Sequence, residues 1–171
     1  MKKIIAFALM ATVCTTMQTA CAQDDKSKRP SPPATETAKL TNGAVVTINY
    51  SQPSVKGRSI GKEIAQYGKV WRTGANESTT FETSKGLKVN GNALPAGKYS
   101  IFTIPEENEW TVIFNKVNDQ WGTRYKETED VFRFKVKPST GKLTEQMKFT
   151  IDKEGIVKLN WATTMISFQV E

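Results

Sequence analysis

The chain has 171 residues, and its 24 lysine and arginine residues against 17 aspartate and glutamate residues give a formal net charge of +7 at pH 7. It contains no histidine, which excludes a Ser-His-Asp triad, a Cys-His pair and a histidine-ligated zinc site. The cationic residues are spread along the chain rather than clustered, so we expect no nucleic-acid binding.

The first 22 residues have the features of a secretory signal peptide. Lys2 and Lys3 precede an apolar run from Ile4 to Cys14, and small residues follow this run. The run is too short for the roughly 20 apolar residues that span a bilayer as a helix. We therefore expect an exported protein, located in the periplasm or associated with the outer membrane.

Two ways of processing this segment are open. Ala20-Cys21-Ala22 is a cleavage site that would release a soluble protein beginning at Gln23. Alternatively, Cys21 resembles the lipidated cysteine of a bacterial surface lipoprotein, and a lipid there would be the protein's sole membrane anchor. Because Cys14 lies in the removed segment, both routes leave no cysteine pair for a disulfide.

Residues 23–39 are predicted to form a disordered linker. They are polar and contain three prolines, with almost no apolar side chains. Such a segment buries too little surface to offset the conformational entropy that ordering costs. The folded domain is accordingly predicted to span residues 40–171, which is long enough to bury a core.

Alternating apolar and polar residues predict strands through most of this domain. The predicted strands lie at 45–50, 78–83, 87–89, 98–104, 110–115, 132–136 and 147–151, followed by a terminal hairpin of 157–161 and 166–170. Residues 98–104 are apolar on both faces, which predicts a central strand. One short helical turn is possible near 60–65. The pattern as a whole predicts an all-β protein, an antiparallel β-sandwich of eight or nine strands.

Residues 67–81 combine aromatic, cationic, amide and carboxylate side chains with two glycines. Aromatic walls with a few fixed polar groups are typical of small-ligand sites. Trp121, in a later polar loop, is a second candidate for stacking on a ligand. The predicted ligand-binding residues are therefore Trp71, Arg72, Asn76, Glu77 and Trp121.

Each of these residues also has a structural interpretation. Trp71 would pack in the core while Arg72 pairs with Glu77. Asn76 and Glu77 would close a turn after a glycine. The Trp121 ring would fold back onto the core.

Three other sites were considered. Lys56, Gly57 and Arg58 could form an anion-binding loop, or they could be ordinary solvated residues. Glu77 could act with Glu82 or Asp119 as the carboxylate pair of a glycoside hydrolase. The acidic residues from 119 to 130 lack EF-hand spacing, so we predict no metal site and no cofactor.

Several motifs, in this order, resemble one family of secreted bacterial proteins, the domain-of-unknown-function family twenty-nine eleven. The motifs are YSQPSVKGR (50–58), YGKVWRTGANESTTF (67–81), LPAGKYSIFTIP (94–105), WTVIFNK (110–116) and QWGT (120–123). The resemblance covers residues 40–171. It implies a β domain of the cell envelope and assigns no catalytic residue to this chain.

We therefore expect a non-catalytic envelope domain that binds a small or polymeric ligand, with carbohydrate as one candidate class. A carboxylate-based hydrolase that acts on envelope or extracellular glycans is one alternative. A structural or interaction module without a small-molecule site is the other.

Overall fold

The computed structural model describes residues 25–171. The predicted signal peptide, with its cleavage and lipidation sites around Cys21, lies outside the described residues, as does the start of the predicted linker. Between residues 25 and 171, no helix is long and apolar enough to span a bilayer.

The described residues form twelve strands and two single-turn 3-10 helices, at Lys26–Lys28 and Glu127–Glu129. The strands are β1 (Pro33–Lys39), β2 (Val45–Ser51), β3 (Ile60–Gly61), β4 (Ile64–Gln66), β5 (Thr79–Thr83), β6 (Leu87–Val89), β7 (Asn92–Leu94), β8 (Gly97–Ile104), β9 (Trp110–Asn115), β10 (Asp130–Val136), β11 (Ser139–Ile151) and β12 (Ile156–Gln169). This confirms the all-β prediction. The helical turn predicted near 60–65 is wrong, because β3 and β4 pair there as a short parallel ladder.

A six-stranded antiparallel sheet with the order β1-β2-β5-β8-β9-β10 forms the first layer. Strand β8 lies between β5 and β9, as its two apolar faces predict. The predicted linker is wrong for residues 33–39, which form the edge strand β1. This strand pairs with β2 from Pro33–Ser51 to Lys39–Val45, and Ala34 and Ala38 pack against the core. Backbone hydrogen bonds and two small side chains therefore order a segment whose composition predicts disorder.

The hairpin of β11 and β12 forms the second layer. Strand β11 contacts β1 and β12 contacts β10, the two edge strands of the large sheet. Phe81 and Phe114 of the sheet and Phe149 and Phe168 of the hairpin are buried in one core. The rings of Phe114 and Phe168 meet edge to face at 6.2 Å. Two layers thus enclose the core, as in a sandwich.

Strand β12 is continuous, so the predicted terminal hairpin is wrong. The backbone at Ala162 has a φ of +51°, and the register between β11 and β12 shifts on both sides of the Thr144–Ala162 pair. This irregularity changes which residues face the core. The buried positions are Val157, Leu159 and Trp161 before it and Ile166, Phe168 and Val170 after it.

The opposite face of the large sheet is covered by the loop between β9 and β10. Phe102 projects from this face and is fully buried. Its ring lies 4.9 Å from the ring of Tyr125 in the loop. The Tyr125 hydroxyl donates to Asp130 Oδ2 (2.7 Å), which ties the loop to β10. The candidate site lies where this loop meets the segment before β5.

Candidate functional site

A short antiparallel ladder between residues 76–78 and 120–122 brings two of the predicted site residues together. Glu77 and Trp121 are the paired residues at its centre. The N–H of Ser78 donates to the carbonyl of Gln120, and the N–H of Gly122 donates to the carbonyl of Asn76, both at 3.1 Å. Two segments far apart in the sequence therefore present their side chains to one surface.

A cavity of about 530 Å³ lies beside this ladder, and we call it the Trp121 cavity. Trp121 lines it with 46% of its surface exposed, so its ring is not folded back onto the core. Polar side chains supply most of the remaining wall, including Asn49, Lys98 and Asn118. An exposed indole beside amide groups and a cation is an arrangement that can hold a polar ligand.

A row of polar residues crosses the outer face of the large sheet beneath this cavity. Strand register places Thr35, Asn49, Thr80, Ser100, Asn115 and Asp130 side by side on the six strands. At one end Thr35 Oγ1 donates to Asn49 Oδ1 (2.8 Å), and at the other Asn115 Nδ2 donates to Asp130 Oδ1 (2.8 Å). Both ends of the row are therefore satisfied within the protein.

The two central residues of the row are not satisfied in this way. The hydroxyls of Thr80 and Ser100 are buried and have no hydrogen-bond partner among residues 25–171. Thr80 also lines the Trp121 cavity, although only 6% of it is exposed. Leaving a buried hydroxyl unpaired costs about 1–3 kcal/mol. The Thr80 hydroxyl has almost no accessible surface, so a ligand or a water molecule in the cavity would reach it only after a small rotation of the side chain.

Glu77 is held by the N-terminal arm, which comprises residues 25–32. Its Oε1 lies 3.0 Å from Lys26 Nζ and 3.0 Å from Arg29 Nη1, so the proposed pairing with Arg72 is wrong. Burial by itself raises the pKa of Glu77. Hydrogen bonds from Lys26, from its own backbone and from Arg29, together with the charge of Lys26, lower this pKa from 4.5 to about 2. Glu77 is therefore an anion at neutral pH.

Asn76 makes structural contacts and does not line the Trp121 cavity. Its backbone is left-handed, with a φ of +59°, which asparagine tolerates better than most residues. Its side-chain Nδ2 donates to the carbonyl of Ser31 (3.1 Å) and to Ser51 Oγ (3.3 Å). Asn76 thus fastens the N-terminal arm to the sheet.

Trp71 lies in a cluster of three tryptophans rather than at the Trp121 cavity. Its ring stacks on Trp161 at 5.2 Å with an interplanar angle of 10°, and it meets Trp110 edge to face at 6.2 Å. Its backbone pairs with Thr103 of β8 through hydrogen bonds of 2.7 and 2.9 Å. Trp71 is therefore partly buried and packs against the core, and it also lines two other cavities.

Arg72 lines two other cavities, and its side chain crosses Gly122. A methyl group at Gly122 would lie 2.8 Å from Arg72 Cβ and 3.0 Å from the carbonyl of Asn76. Glycine is needed here for this close approach. The structure thus divides the predicted residues: Glu77 and Trp121 share one cavity, and Trp71 and Arg72 line others.

The structure separates the other candidate groups. Asp119 lines the Trp121 cavity with Glu77, whereas Glu82 is exposed on β5. Glu127 and Asp130 pair with Arg133, and Glu129 pairs with Lys116. Across the described part of the chain, no group of three or more acidic, cysteine or histidine residues could hold a metal ion.

Asn49, Thr80 and Lys98 are cavity residues that sequence reasoning missed. All three have polar side chains on strands, and polar strand residues are usually solvated. The signal that identifies Thr80 is its burial without a partner, which only the folded chain reveals.

A family model described as a protein of unknown function, DUF2911, matches residues 31–170. No curated protein and no solved structure matches the chain. The matched range includes β1 and the end of the N-terminal arm, so it begins earlier than the resemblance found in the sequence.

Proposed function

We propose that this chain, which belongs to the DUF2911 family, binds a hydroxyl-bearing polar ligand in the Trp121 cavity, and that the ligand is a carbohydrate. The observation that carries this proposal is the pairing of an exposed indole, Trp121, with a buried and unpartnered hydroxyl, Thr80, around one cavity. A sugar presents an apolar ring face and a rim of hydroxyls, so one ligand can satisfy both groups.

The charges around the cavity favour a ligand that is neutral overall. The cavity wall contains three cations, Lys26, Lys98 and Arg124, and two anions, Glu77 and Asp119. Lys26 is already paired with Glu77. No single sign of charge dominates the wall, so hydrogen bonding and stacking, rather than ion pairing, would hold the ligand.

The ionised state of Glu77 rules it out as the proton donor of a glycosidase. A glycosidase needs one carboxylic acid that carries a proton at the working pH. The ion pairs to the N-terminal arm hold the pKa of Glu77 at about 2, so Glu77 cannot supply that proton near neutrality.

The features of residues 1–22 support a location in the periplasm or at the outer membrane, which cell fractionation would test.

The proposal is tested by titrating the protein with envelope and storage glycans while tryptophan fluorescence is recorded. Of the four tryptophans, Trp110 and Trp161 both contact Trp71, so the Trp121 signal can be isolated by comparison with Trp121→Ala. We expect at least one glycan to bind saturably. Trp121→Ala should weaken it by about 30-fold or more, since truncating an aromatic anchor costs about 2 kcal/mol.

Tyr67→Ala is the matched control, because Tyr67 is an aromatic residue exposed to 42% elsewhere on the surface. It should bind the same glycan as the unmodified protein does. A Thr80→Val variant should also bind more weakly, because it removes the hydroxyl and keeps the shape. Failure of every glycan to bind, or unchanged binding by Trp121→Ala, would refute the proposal.

A further inference from the structure

Arg72 is a half-buried cation without a counter-charge. Within residues 25–171, its guanidinium has no hydrogen-bond acceptor and no ion-pair partner, and it makes no ring contact. Burial lowers the pKa of Arg72, and no carboxylate offsets this effect. A guanidinium withdrawn from water normally has an anionic partner.

The cavity on one side of Arg72 is rich in hydrogen-bond donors. It has a volume of about 330 Å³ and is lined by Arg72, Arg58 and Trp161, among others. Trp161 is only 3% exposed, and its indole N–H has no acceptor in the described part of the chain. Indole and guanidinium groups donate and do not accept. Arg72 and Trp161 are thus two donors without acceptors that line the same cavity.

Among the described residues, Glu63 is the carboxylate on this wall, and it offsets one of the two arginine charges. Arg58 Nη2 donates to the carbonyl of Ser54 (2.7 Å) and its Nε donates to that of Val55 (3.1 Å), which fixes the guanidinium. Glu63 accepts from the backbone N–H of Ser59 (2.9 Å). The Arg58 charge is thus held in position by its own loop.

The second cavity that Arg72 lines is less suited to an anion. Tyr125 also lines this cavity, but the Tyr125 hydroxyl already donates to Asp130 Oδ2 (2.7 Å). No second cation lines that cavity in the described residues. The donors therefore converge on the side of Arg58 and Trp161.

We infer that Arg72, Arg58 and the indole N–H of Trp161 form a second binding site, specific for the oxyanion of a carboxylate or phosphate group. The planar fork of arginine suits both kinds of oxyanion. This site shares no lining residue with the Trp121 cavity. It therefore goes beyond the proposed carbohydrate binding and can be tested separately from it.

The test uses the indole N–H resonance of Trp161 in ¹⁵N-labelled protein, assigned with a Trp161→Phe variant. The protein is titrated with sodium phosphate in one series and sodium acetate in another, both at constant ionic strength and pH 7. We expect the Trp161 resonance to shift saturably with at least one of the two anions. The series that saturates at lower concentration distinguishes a phosphate site from a carboxylate site.

Arg72→Gln should weaken this binding by about ten-fold or more, since it removes a charge-assisted donor. Arg124→Gln is the control, because it removes a cation that lines the other cavity, and it should titrate as the unmodified protein does. Should Arg72→Gln not fold, Arg58→Gln must weaken binding instead. The inference is refuted if neither anion shifts the Trp161 resonance beyond a sodium chloride titration, or if both arginine variants bind normally.

Discussion

The carboxylate of Glu77 links the N-terminal arm to the candidate site through Lys26 and Arg29. It is 40% exposed, so solvent screens these ion pairs. Exposed pairs contribute at most about 1 kcal/mol each. At the level of single residues, the contribution of Glu77 is therefore modest and depends on pH.

Glu77→Gln should lower the melting temperature at pH 7 and have no effect at the acid limit. The folded-state pKa of about 2 lies below the ordinary value of 4.5, so the stabilisation is complete above about pH 4.5 and is lost as the pH falls towards 2. The measurement is the difference in melting temperature between the two proteins across this range.

Glu82→Gln serves as the control for that experiment, because Glu82 is exposed and forms no ion pair within the described range. It should leave the melting temperature unchanged at every pH. A Glu77→Gln difference that persists at pH 2 would contradict the role assigned to the ion pairs.

At the scale of elements, strand β12 depends on a left-handed residue in its middle. Ala162 has a φ of +51°, a conformation that costs a non-glycine residue roughly 1–2 kcal/mol. Ala162→Gly should therefore raise the free energy of unfolding by about 0.5–1 kcal/mol, after the loss of one methyl group and the entropy of glycine are allowed for. Urea denaturation measures this change.

Thr163→Gly is the neighbouring comparison, because Thr163 is exposed and its φ is not positive. Glycine at such a strand position should lower the free energy of unfolding by about 0.5–1 kcal/mol. If both substitutions lowered stability equally, the strain assigned to Ala162 would be disproved.

Strands in which apolar and polar residues alternate clearly were predictable from the sequence, whereas β1 and the irregular middle of β12 were not. The predicted strand 45–50 lies within β2 (Val45–Ser51), because its alternate apolar residues, Val46, Ile48 and Tyr50, are the ones that are buried. Strand β1 escaped prediction because no residue in it is fully buried. The bulge at Ala162 was also hidden, since alanine gives no sign of a left-handed backbone and the polar residues after it suggest a turn.

The candidate site was predictable only in its separate parts. The composition of residues 67–81 and the polar loop around Trp121 both indicated a ligand site. Glu77 lies beside Trp121 because a ladder joins two segments that are far apart in the sequence. Arg72 lines a different cavity because its side chain packs over Gly122. Local sequence patterns carry neither fact.

At the scale of the whole molecule, stability rests on the core between the two layers, since residues 25–171 contain no cysteine. Phe149 is 1% exposed and meets the Tyr50 ring edge to face at 5.0 Å. Its backbone N–H donates to the Tyr50 hydroxyl (3.1 Å). This contact joins the hairpin to the large sheet.

Phe149→Ala should lower the free energy of unfolding by about 3–5 kcal/mol, because it leaves a cavity between the layers. Leu143→Ala, on the same hairpin, should change it by less than about 0.5 kcal/mol, since Leu143 is 72% exposed. Chemical denaturation of both variants measures the difference. Similar costs for the two would contradict a core shared between the layers.

The fold and the site meet in the Trp121 cavity, whose floor is the large sheet and whose wall is the loop that covers it. The most direct test of the account is a crystal structure of the protein with the glycan that binds most tightly in the fluorescence titrations. The account predicts a sugar ring stacked on Trp121, with a sugar hydroxyl within about 3 Å of Thr80 Oγ1. A glycan bound elsewhere, with the Trp121 cavity filled by solvent alone, would contradict it.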